Sequence, residues 1–154
     1  MLGGMRERET VPPRALARET APAFARSILD WRGTAFLARL ALVGAYLVGG
    51  IAKLADFPAA VAEQAHFGIR PAALWAALTI LVELLGSSLI LFGRFVWLGA
   101  GMLGVFTVAA AIVANAFWTM QGQERFMATN AFLEHVGLVG GLVLVALLAE
   151  RPRA

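Results

Sequence analysis

Four runs of apolar residues, each long enough to cross a bilayer, organise this chain. They read Thr34–Leu54, Ala72–Phe92, Phe95–Phe117 and Ala131–Ala149. A helix rising ~1.5 Å per residue needs about 20 residues to cross the hydrocarbon core. Polar segments separate the runs: a connection over Asp56–Arg70, a tight Gly93-Arg94 link, and a loop over Met120–Thr129. The pattern predicts an all-α polytopic membrane protein, a four-transmembrane-helix bundle over residues 34–150 behind a polar tail over 1–33. Within Asp56–Arg70 the Val61/Ala65 spacing suits a short surface helix, and Pro71 suits the first turn of the next span.

The tail is irregular. Pro12 and Pro13 break any early helix, and no apolar segment with a cleavage site marks a signal peptide. From Pro22 to Trp31, Phe24, Ile28 and Trp31 fall on one helical face. A short interfacial helix is expected there, with Trp31 at headgroup level. Residues 1–20 read equally well as a disordered tail.

Composition sharpens the class. The chain of 154 residues is 60% hydrophobic and 15% charged, against ~45–50% and ~25% in soluble domains. A core of this size cannot hide that excess. With no cysteine, disulfides, thiolate catalysis, iron–sulfur ligation and cysteine-held zinc are excluded. The net charge of +3 comes without a basic patch interleaved with aromatics, so a nucleic-acid partner is not expected. The cations instead report topology. Outside the spans, nine Lys and Arg lie on the side of the two tails and the Gly93-Arg94 link, against Arg70 and Arg125 on the other, three when Lys53 at the membrane edge is added. The positive-inside rule then predicts both termini in the cytoplasm.

Two charges stand away from the span ends, Arg39 about a turn inside the first and Glu83 near the middle of the second. A carboxylate at mid-membrane is costly and must face protein and a partner. With the span centres taken at residues 44 and 82, Arg39 lies about 7 Å to the cytoplasmic side of the midplane and Glu83 about 2 Å to the same side. Lys53 falls roughly 13 Å to the other side. This depth arithmetic predicts a buried Arg39–Glu83 ion pair. Two roles are open to it: locking helix register, or acting directly at a ligand or proton site.

A second polar group gathers at the outer ends of the spans. Lys53 closes the first; Asn115 and Trp118 close the third; Asn130, Glu134 and His135 open the fourth; His66 lies in the outer connection. These residues form either an interfacial belt with snorkelling heads or a polar pocket for a quinone headgroup or small substrate. Two isolated histidines make no metal or haem motif, so no metal is expected.

The order of these residues resembles the DoxX family of small four-helix membrane proteins over roughly residues 36–149. Arg39 stands early in the first span, followed by Gly49-Gly50-Ile51-Ala52-Lys53-Leu54 and Asp56-Phe57. Gly68 and Pro71 lead into the second span, which carries Val82-Glu83-Leu84 and Gly86. Asn115-Ala116-Phe117-Trp118 ends the third, and the fourth carries Phe132-Leu133-Glu134-His135 and Gly140-Gly141. Many family members look like Phe-Leu-Lys-Asn where this chain has Phe132-Leu133-Glu134-His135, which alters the charge of any outer pocket.

The resemblance implies a multi-pass protein of the bacterial inner membrane, with redox associations in parts of the family. One branch looks like the small subunit of an archaeal thiosulfate:quinone oxidoreductase. The implied function is a quinone-linked or redox-associated membrane subunit, not autonomous as an enzyme. The alternatives are a non-catalytic anchor, scaffold or cargo-binding bundle, and a small-solute carrier. The chain has no dinucleotide fingerprint and no haem motif. No intrinsic cofactor is expected, and electron transfer would need a bound quinone or a partner subunit. Expected partners are membrane lipid, a redox partner subunit and further copies of the chain.

Overall fold

The computed structural model describes residues 21–150. Six α-helices follow in order: α1 (Ala23–Asp30), α2 (Thr34–Ala55), α3 (Phe57–His66), α4 (Ala72–Leu91), α5 (Val96–Ala114) and α6 (Gly122–Ala149), with a 3₁₀ turn at Phe117–Thr119 before α6. The described residues divide into two compact units, 21–37 and 38–150.

In the first unit the short helix expected over Pro22–Trp31 is present as α1, with Phe24, Ile28 and Trp31 all exposed. The Thr34 hydroxyl donates to the Ile28 carbonyl across the turn into α2. The reading of residues 1–20 as a disordered tail lies outside the described residues.

Four helices are long and apolar enough to cross a membrane: α2, α4, α5 with its 3₁₀ extension, and α6. Three boundaries agree with the apolar runs to within a few residues. The fourth is corrected. Helix α6 begins at Gly122, not Ala131, and runs 28 residues, so most of the expected Met120–Thr129 loop is helix. No glycine or proline stands between Gly122 and Gly137 to stop it. Glu124 in the first turn suits the positive end of the helix dipole. At ~1.5 Å per residue α6 is about 42 Å long, more than the ~30 Å core needs.

The connections are built by local capping. Asp56 caps α3, its Oδ1 accepting from the Ala59 N–H at 3.1 Å. Helix α3 ends on Gly68 and α4 on Gly93, both with positive φ. In each, the next two N–H groups return to the last turn: Gly68 to Ala65 and Ile69 to Gln64, Gly93 to Ile90 and Arg94 to Leu89. This is the Schellman arrangement, which satisfies carbonyls that would otherwise be orphaned.

The second unit packs around Val43 and Tyr46 of α2, Ile90 of α4, Val96, Ala100 and Leu103 of α5, and Leu142 of α6. Small residues let the backbones approach. A Cβ on Gly99 would fall 2.6 Å from the Gly86 carbonyl oxygen, so α4 and α5 touch backbone to backbone. A Cβ on Gly50 would fall 2.8 Å from the Leu84 side chain, so Leu84 seats itself on α2. The outer faces are apolar as well: Val48, Leu81, Val105 and Leu144 are all more than half exposed. Surfaces of that kind belong in hydrocarbon, where every backbone polar group must be satisfied within the helix.

Candidate functional site

Glu83 is buried inside the bundle, its side chain 6% exposed, and its partner is Lys53, 19% exposed. The ammonium donates to both carboxylate oxygens, at 3.0 Å to Oε1 and 3.2 Å to Oε2. The expected Arg39–Glu83 pair does not form. Two contacts give the register that overturns it. Gly49 stands against the Glu83 carboxylate, and Gly93 stands against the Arg39 guanidinium. Arg39 is thus level with Gly93, ten residues and about 15 Å from Glu83, while Lys53 is one turn from Gly49.

Side-chain direction completes the correction. Cα–Cβ bonds tilt toward a helix N-terminus. Lys53 near the end of α2 therefore leans back over Gly49, and Glu83 on the antiparallel α4 leans toward Lys53. Arg39 leans the same way along α2, which carries it away from Glu83 and toward the C-terminal end of α4, where a cation is favoured by the helix dipole. Gly49 leaves the gap that the pair fills: a Cβ there would sit 3.4 Å from Lys53 Nζ and 3.6 Å from the carboxylate oxygens.

Hydroxyls continue the polar interior. Thr79, Glu83 and Ser87 lie at successive turns of α4, all buried. Across from them the Thr107 hydroxyl donates to the Leu103 carbonyl at 2.6 Å. That commits its proton, so the 2.6 Å contact between Tyr46 and Thr107 has the Tyr46 phenol as donor. The Ser87 hydroxyl is fully buried and has no hydrogen-bond partner among the described residues. Neither Tyr46–Thr107 nor Ser87 was singled out from the sequence, although the four-residue spacing of Thr79, Glu83 and Ser87 was there to read.

The outer group does not assemble as one polar pocket. Lys53 is held by Glu83. Asn115 caps α5, its N–H returning to the Ala111 carbonyl at 3.0 Å. Trp118 joins an edge-to-face aromatic cluster with Phe117 and Phe132, at centroid distances of 5.1 and 6.3 Å. Asn130 and Glu134 are exposed, and His66 packs edge-on against its neighbour Phe67. His135 borders a cavity. That cavity, of about 210 Å³, lies between α5 and α6, walled by Val108, Ala111 and Ile112 on one side and Phe132, His135 and Val139 on the other. The His135 Nδ1 meets the Ala131 carbonyl at 2.6 Å. A carbonyl only accepts, so Nδ1 carries the proton and Nε2 is the nitrogen left for another partner.

Four apolar helices, two of them joined by a sequestered ion pair, define a small polytopic membrane protein. The particular family follows from comparison: the chain belongs to the DoxX family, whose model matches residues 34–116, the first three spans and the connections between them. It is similar to the inner membrane protein YphA of Escherichia coli (strain K12), with 25% identity over 111 residues, covering 72% of this chain and 79% of that protein. No solved structure matches it. The chain is a multi-pass inner-membrane protein.

Proposed function

We propose that this protein is a quinone-linked membrane subunit that holds an isoprenoid quinol between α5 and α6. The observation that supports the reading is the apolar cavity with a histidine in its wall. At about 210 Å³ it has room for a single aromatic ring, and it opens to the outer face of the bundle, where Val108, Ile112 and Val136 are about half exposed. The cavity walls are wholly apolar, so they would hold the quinol ring by contact; with Nδ1 bonded to Ala131, Nε2 of His135 is the ring nitrogen left for a quinol hydroxyl. The aromatic cluster of Phe117, Trp118 and Phe132 flanks the same end of α6, and the exposed apolar faces suit an isoprenoid tail. The chain has no cysteine, so electrons would pass to a partner subunit.

The test is lipid-extract mass spectrometry of the protein purified in mild detergent. Quinone should co-purify at near-stoichiometric amounts, and Val139→Phe, which fills the cavity, should remove it while helix content is unchanged. Quinone at no more than membrane background in the unaltered protein would sink the reading. The scaffold reading would then stand, favoured by the filled centre of the bundle, where Val43, Ile90, Leu103 and Leu142 are essentially inaccessible.

A further inference from the structure

We propose that Lys53, Glu83 and Ser87 form a proton-exchange site holding internal water, open to the membrane face at which α2 ends and closed to the other. The pair is asymmetric in its access. Lys53 is 19% exposed and Glu83 6%, so the ammonium stands between the carboxylate and the open end. Thr79, one turn from Glu83 on the same face of α4, is buried at that end and adds a hydroxyl. One turn deeper, Ser87 is fully buried with an unpartnered hydroxyl. A buried polar atom without a partner is rare, and a bound water is its usual remedy.

From Ser87 onward the interior is sealed. Val43, Ile90, Leu103 and Leu142 are at most 1% exposed and carry no polar side-chain atom. The Tyr46–Thr107 hydrogen bond ends on the Leu103 carbonyl and offers no onward acceptor. A polar path therefore enters from the Lys53 end and stops inside the bundle.

An ion pair in such surroundings is poorly explained by stability. Desolvating both charges offsets most of their attraction, and apolar residues of similar volume serve as well or better. An ionisable group within a span is more often a proton or ion site. The exchange is simple. A proton from water at the open end adds to the Glu83 carboxylate, the two N–H···O bonds from Lys53 are given up, and the ammonium turns to water in the opening. Release reverses each step, and no electron moves.

The titratable groups facing the site are Lys53 and Tyr46 on α2, with Glu63 on α3 acting through its charge. Helix α5 contributes only the Thr107 hydroxyl, and His135 on α6 is engaged with its own helix.

The experiment uses the full chain in quinone-free vesicles of uniform orientation, so its outcome is separate from the lipid analysis above. Each side is acidified in turn and the carboxyl band is followed by infrared difference spectroscopy. The expected signal is absent in Glu83→Gln, shifted in Glu83→Asp, and appears only when the face bearing Lys53 is acidified. Ser87→Ala should slow its appearance by up to about tenfold, the equivalent of one hydrogen bond. A signal unchanged in both Glu83 variants, no signal from acid on either face, or a response from both faces overturns the proposal. Ser87→Ala with unaltered kinetics removes the water from the site, and the proposal with it.

Discussion

The Lys53 ammonium reaches back one helical turn, over Gly49, to straddle both oxygens of Glu83. The contact joins the end of the first span to the middle of the second. It gives a carboxylate in hydrocarbon surroundings the partner it needs.

Removing one member of that pair should be costlier than removing both. Lys53→Met leaves a buried carboxylate uncompensated, a loss of about 3–5 kcal/mol. The double variant Lys53→Met with Glu83→Leu should recover most of it. Arg39→Met, whose side chain lies beside Gly93, should leave the pair intact. Thermal unfolding in detergent checks all three; equal losses for the Arg39 and Lys53 variants would contradict the assigned partner.

The α4–α5 contact is the least forgiving in the bundle. Gly99→Ala sets a methyl 2.6 Å from a backbone carbonyl that cannot swing aside, so a loss of about 1–3 kcal/mol is expected from overpacking. Gly101 and Gly104 on the same helix have open space where a Cβ would go, and alanine at either should leave the midpoint unchanged or raised. A common response at all three positions would mean that α4 and α5 do not cross at Gly86 and Gly99.

Tyr46→Phe removes the donor to Thr107 but leaves Thr107 bonded to Leu103. The expected loss is about 0.5–1.5 kcal/mol. Thr107→Val orphans the phenol of Tyr46 in a buried site and should cost more, about 1–3 kcal/mol. A double-mutant cycle on the two residues measures their coupling, and a coupling energy of zero would remove the hydrogen bond.

Filling the α5–α6 cavity should act on ligand rather than fold. Val139→Phe is expected to leave helix content unchanged and to abolish co-purifying quinone. His135→Phe keeps a ring against Phe132 while removing Nε2, and should lower quinone retention without destabilising the helix. Retention equal to the unaltered protein in both variants would disconnect the cavity from quinone.

Much of the architecture was legible along the chain. Apolar runs of membrane length mark the spans because a hydrocarbon solvent demands helices with satisfied backbones. The Val61/Ala65 spacing marked α3, while the Asp56 cap that starts it was read only from the structure. The start of α6 was missed by about two and a half turns, since Gln123, Glu124 and Arg125 read as a loop although they belong to a continuing helix. The site was legible only in part. A lone acid in the apolar run Ala72–Phe92 announced that a cation must meet it, but depth counted from span centres chose Arg39.

What the sequence determined by itself is the solvent this protein folds in, the number of times it crosses, and the need of Glu83 for a buried partner, because hydropathy and charge are properties of the residues alone. Which cation answers Glu83, and which histidine borders a cavity, was decided by tertiary packing. Leu84 seated on Gly50 and Arg39 laid against Gly93 slide α2 along α4 by several residues from the centred alignment. Helical side chains lean toward their own N-termini, so that slide brings Lys53 onto the carboxylate and carries Arg39 away.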